Sequence, residues 1–143
     1  MASPWLPAAT WLYNRFMADD PMARKQQADV ALERTVLELR QLLEETAAQL
    51  RPFPPFPGAF FTNAIEVEAE AAESNERGCV VVCEDGDLYE LKLSINFSDE
   101  AMDPVSAREE KLTKLEDLHP RDYIALAHEA LTRMTEQLME RGE

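Results

Sequence analysis

The chain has 143 residues, the length of one ordinary domain, and with 45% hydrophobic and 29% charged residues it is too apolar a mixture to stay disordered. Its formal net charge of -14 repels phosphate backbones and anionic headgroups, which excludes nucleic acid and membrane surfaces as natural partners and leaves a basic protein as the easier one to imagine. Two cysteines do not suggest a disulfide scaffold, and neither a basic-then-apolar leader nor an apolar run of about 20 residues is present, so a soluble, cytoplasmic single domain is expected.

Residues 1–19 carry Trp5, Leu6, Trp11, Leu12, Tyr13, Phe16 and Met17, an apolar density that needs a cover and reads as an arm or short helix docked on the body. "DDPMARK" then reads as a helix start, with Asp20 as N-cap and Pro21 in the first turn. The helix is expected over 20–51. Leu32, Val36, Leu39, Leu43, Thr46 and Leu50 recur at spacings of three and four and draw one apolar seam, with Leu37 and Leu42 beside it. That stripe suits a core-facing helix, and its width also allows a homodimer.

"RPFPPFPG" cannot continue the helix, because Pro52, Pro54, Pro55 and Pro57 lack amide donors and push their predecessors toward extended geometry. Residues 52–58 form a stiff connector. The letters satisfy P-x-x-P twice, at Pro52/Pro55 and Pro54/Pro57, which a domain that binds polyproline helices would accept, whereas Phe53 and Phe56 are suited to packing onto the body.

A β-meander of three strands is expected over 59–97. In "FFTNAIEVEAE" Phe61, Ile65, Val67 and Ala69 alternate with Thr62, Glu66, Glu68 and Glu70, the period of a half-buried strand. In "CVVVCEDGDLYELKL" Asp85-Gly86 reads as a two-residue hairpin turn. That turn sets Glu84 opposite Asp87, Val82 opposite Tyr89 and Val80 opposite Leu91. One face then gathers Val80, Val82, Tyr89, Leu91, Leu93 and Ile95. Further on, helices are expected over 101–141: one through Leu112 and Leu115 that stops before Pro120, and one restarting at Pro120 with Ile124, Ala127, Leu131, Met134 and Leu138 on its apolar stripe. The fold class expected is α+β: a three-stranded antiparallel meander with an N-terminal and a C-terminal long helix packed on one face. The order helix, three strands, helix in a small acidic chain resembles the dimeric chaperones of bacterial type III secretion, at the level of element order alone.

No motif for catalysis, a cofactor or a metal emerges. Cys79 and Cys83 on one extended strand lie ~13 Å apart, beyond disulfide reach, and they lack the turn that would fold both sulfurs onto zinc. "EDGD" lacks the alternating acids of a calcium loop, and His128-Glu129 lacks the second histidine of a zinc-protease helix. The four glycines, at 58, 78, 86 and 142, make no phosphate loop. The remaining asymmetry is charge: from Ala59 to Asp103 twelve acids face two bases, so this third of the chain holds -10 of the total of -14. Glu66, Glu68, Glu70 and Glu90 are expected to share the outer sheet face, as a solubilising surface or as a dock for a basic partner. A non-enzymatic interaction module, adaptor- or chaperone-like, is the function this composition favours. The alternative is a small-ligand-binding domain or enzyme with a pocket between sheet and helices.

Overall fold

The computed structural model describes residues 20–68, 78–95 and 108–142; the apolar arm at 1–19, Ala69 and Glu70 lie outside them. The chain divides into two compact units, 1–35 and 36–143. Helix α1 covers Pro21–Gln49 and starts where Asp20 caps it, the Met22 amide donating to Asp20 Oδ1 over 3.0 Å. Four antiparallel strands follow, β1 (Ala64–Glu68), β2 (Cys79–Cys83), β3 (Leu88–Ile95) and β4 (Arg108–Lys114), and then helix α2 (Pro120–Arg141). The sheet order is β1-β2-β3-β4, a plain meander.

The sheet therefore has four strands, not three. β4 replaces the helix expected through Leu112 and Leu115, which lie three positions apart. In a strand that same spacing sends the two leucines to opposite faces. Leu115 packs into the helix-side core, while Leu112 stands opposite Leu91 on the other side of the sheet. "REEKLTK" consists mostly of good helix formers, but the open edge of the eight-residue β3 pairs with all seven of its residues, and that ladder overrides local propensity.

The hairpin also differs from expectation. The Gly86 amide donates to the Cys83 carbonyl over 2.9 Å, Gly86 has φ of 83°, and no described non-glycine residue has positive φ. Asp85 thus stays out of the left-handed region that a two-residue turn requires of it. The loop is a three-residue type I turn closed by a left-handed glycine. Register moves by one: Val82 pairs with Leu88, Val81 with Tyr89 and Val80 with Glu90. A shift of one residue exchanges the faces of a whole strand. Tyr89 and Leu91 therefore leave the expected face and join Cys79, Val81 and Cys83 on the other.

The inner face is covered by both helices. Leu43, Ala47 and Leu50 of α1 and Ala127, Ala130 and Met134 of α2 are buried with Ile65, Val67, Val82 and Leu88, and Phe53 closes the cluster. The helical stripes expected from sequence hold through Leu43, Leu50, Ala127 and Met134, with Ala47 and Ala130 buried beside them. Pro120 occupies the first turn of α2, where His119 caps the helix by accepting the Arg121 amide on Nδ1.

Candidate functional site

Register alone defines the outer face. It carries Ala64 and Glu66 on β1, Cys79, Val81 and Cys83 on β2, Tyr89, Leu91 and Leu93 on β3, and Glu110, Leu112 and Lys114 on β4. The Pro-rich connector crosses to this side: Phe53 belongs to the inner core, but Phe56 is buried outside with Ala64, Val81, Cys83 and Leu91. Pro55 bridges Asn63, and the Phe56 amide donates to the Thr62 carbonyl, so residues 55–63 form a closed loop. Gly58 at its tip lies against Leu93.

Beyond Phe56 the outer face is apolar and open. Leu93 and Leu112 are 43% and 42% exposed, Phe60 is 50% exposed, and Phe61 is 87% exposed. Scattered exposed leucines are ordinary, but these four adjoin one carboxylate. Glu110, opposite Leu93 in the ladder, accepts the Phe60 amide, the Phe61 amide at 3.2 Å and the Thr62 hydroxyl at 2.9 Å. One β4 side chain thus fixes the backbone that bears both phenylalanines, whose ring centroids lie 6.2 Å apart. Partial burial pushes the Glu110 carboxyl up, but the bonds from Phe60, Thr62 and Phe61 outweigh it and hold the group below its ordinary range. A depressed folded pKa contributes stability above the unfolded value and loses it as pH falls through the folded one, so the clamp releases in acid.

Of the four glutamates expected on one face, Glu66 and Glu90 do not share it. Glu66 stands opposite Val81 on the outer face, whereas Glu90 stands opposite Val80 on the inner one, with Glu68 opposite Val80 as well after a bulge between Glu66 and Glu68. The cause is the hairpin register, which turned β3 over, and the bulge, which turned the end of β1. Glu70 lies outside the described residues. Glu90 is engaged by Lys92 at 3.5 Å, an exposed pair of small worth.

The cysteines are both free, with Cys79 half-buried and Cys83 buried in the outer cluster. Burial, with Asp85, Glu84 and Asp87 adding their negative charge, pushes the Cys83 thiol up to about 12. The thiolate is the reactive form. In the native protein near neutral pH, Cys83 is therefore expected to resist iodoacetamide while unfolding in urea exposes it. Mass-spectrometric labelling of Cys83 at the rate of a free peptide thiol would contradict this.

A concavity of about 340 Å³ lies between Arg40 and Glu44 of α1, Asp87 and Leu88, the segment Lys114–Glu116, and Tyr123 of α2. It is polar. The Arg40 guanidinium sits 5.6 Å from the Tyr123 ring centre, and Lys114 pairs with Asp87 at 3.0 Å. Among the described residues no group of three or more His, Cys, Asp or Glu is placed to hold a metal ion.

Sequence patterns had pointed at the acids of the meander and missed the clamp. Glu110 is one of two adjacent glutamates in "REEK", with nothing local to single it out, and Phe60-Phe61 breaks the alternation that defines β1. Compared with protein-family models, curated proteins and solved structures, the chain matches none.

Proposed function

We propose that this chain is a non-enzymatic protein-interaction module, adaptor- or chaperone-like, working in the cytoplasm as a homodimer, and that its contact surface is the far half of the outer sheet face. The observation that supports the reading is the exposed pair Phe60 and Phe61 on a backbone fixed by Glu110. Interface hot spots are rigid aromatic side chains, and holding such residues in place before contact reduces the ordering cost of binding. Among the described residues no helix is long and apolar enough to cross a bilayer. With a net charge of -14, and Glu66 on the same face, a partner with a basic rim around an apolar centre suits the surface.

Two predictions test this reading. Glu110→Gln presents an amide where three donors converge; it should cost about 1 kcal/mol of stability and free the loop. Hydrogen exchange at the Phe60 and Phe61 amides should quicken markedly while β2 amides stay protected, and unchanged exchange would remove the clamp from the account. Affinity capture from the native source should yield proteins that the parental chain retains and Phe61→Ser loses, with association slowing as salt rises. If both baits hold the same set, the outer face is not the contact surface. A second reading is favoured by the polar cleft: a small polar ligand held between α1, the sheet and α2, which would be recognised by thermal stabilisation that Arg40→Ala abolishes.

A further inference from the structure

Among the described residues no strand pairs with the outer edge of β4, which is complementary to itself, and we propose that a second copy of this chain pairs there, antiparallel about Leu112, to join two four-stranded sheets into one of eight strands. This rests on the homodimer in the reading above and names the surface where the copies meet.

The backbone has the right groups on the right side. The Leu115 amide donates to the Leu88 carbonyl at 3.0 Å, one step beyond the Tyr89–Lys114 pair. In an antiparallel ladder, residues bonded to the neighbouring strand alternate with residues whose N–H and C=O point away. Leu115, Thr113 and Lys111 therefore bond to β3, and Glu110, Leu112 and Lys114 turn their backbone groups outward. Residues 109 and 111–114 are exposed, Glu110 is half-buried, and no other described strand pairs with this edge.

Charge then selects the register. A two-fold axis through the sheet keeps outer face with outer face, so only even shifts are allowed. Centred on Leu112, the pairing sets Leu112 against its own copy and Glu110 against Lys114 of the second copy, twice by symmetry. Each of these pairs can exchange two backbone hydrogen bonds. Lys111 meets Thr113. The neighbouring registers fail: centring on Lys111 opposes two lysines, centring on Glu110 opposes two glutamates, and centring on Thr113 sets Glu110 against Glu116. Like charges directly opposite destabilise a ladder. Lysines on an edge more often prevent such pairing, but here Lys114, which holds Asp87 of its own chain at 3.0 Å, also comes opposite the Glu110 carboxylate of the second copy. The dimer also covers Leu112, at 42% one of the exposed apolar residues, and brings both Phe60-Phe61 loops onto one continuous face.

Sedimentation equilibrium from micromolar to near-millimolar concentration should show a reversible dimer. Leu112→Lys, an exposed change that leaves the bonds to β3 intact, should raise the dimer dissociation constant by about tenfold or more by opposing two ammonium groups. Under mild oxidation Leu112→Cys should give a covalent dimer, since directly paired Cα atoms ~5.5 Å apart lie within disulfide reach. Lys111→Cys should not, and the parental chain, with Cys83 buried and Cys79 half-buried, is the blank. A dimer that survives Leu112→Lys unchanged and fails to cross-link through Leu112→Cys overturns the edge while the homodimer stands. Cross-linking through Lys111→Cys instead overturns the register. A monomer at every concentration overturns both, and the lysines are then a guard against pairing.

Discussion

Met134→Ala is expected to lower the unfolding free energy by about 2–5 kcal/mol. Met134 is 0% exposed and lies in the inner cluster with Leu43, Leu50, Val82 and Leu88, where both helices meet the sheet. Its removal takes a long side chain out of the junction of three elements, and the surrounding backbone can only partly close the gap. Urea unfolding should show the midpoint fall with the slope unchanged, since the surface exposed on unfolding stays the same. Met139→Ala makes the control. That methionine is 68% exposed on the same helix, so its loss should stay within about 0.5 kcal/mol. Equal effects from the two would mean that the helix, rather than its packing, decides stability.

Gly86→Ala is expected to cost about 2–4 kcal/mol, from two sources that a second substitution separates. At φ of 83° alanine is strained by its own β-carbon. In addition, that carbon would lie 2.8 Å from the Cα and amide nitrogen of Glu44, helix backbone that cannot step aside. Gly86→Asn tolerates the left-handed conformation but keeps the collision. Both variants should therefore be severely destabilised in urea. Recovery of most of the loss with asparagine would show that the turn's conformation, and not its approach to α1, sets the requirement for glycine.

That close approach explains part of what could be read from the letters and part of what could not. Local chemistry was legible: Asp20 and Pro21 start α1, the prolines end it, Pro120 starts α2, and β1 and β3 alternate as strands do. These features depend on residues within a few positions of one another. The failures all depend on distant partners. "EDGD" supports two turns of similar local cost, and the turn that forms places Gly86 against Glu44, with Asp85 accepting bonds from the Asp87 amide and the Tyr89 hydroxyl. "REEKLTK" becomes a strand because β3 offers an edge. Glu110 becomes a clamp because a loop that begins more than fifty positions earlier comes to rest beside it. The expectation that these acids share one face failed for the same reason, as a one-residue change of register sent Glu66 and Glu90 to opposite sides of the sheet.

The connector between α1 and β1 holds Phe53 on one side of the sheet and Phe56 on the other, with β1 passing between them. Two anchors separated by a fixed stride around an edge act as a measuring tape. Letters between and beside them can drift, provided they stay extended, but an inserted or deleted residue would unseat one ring or the other. Among descendants of this sequence, the length of this stretch should be inherited more faithfully than its spelling.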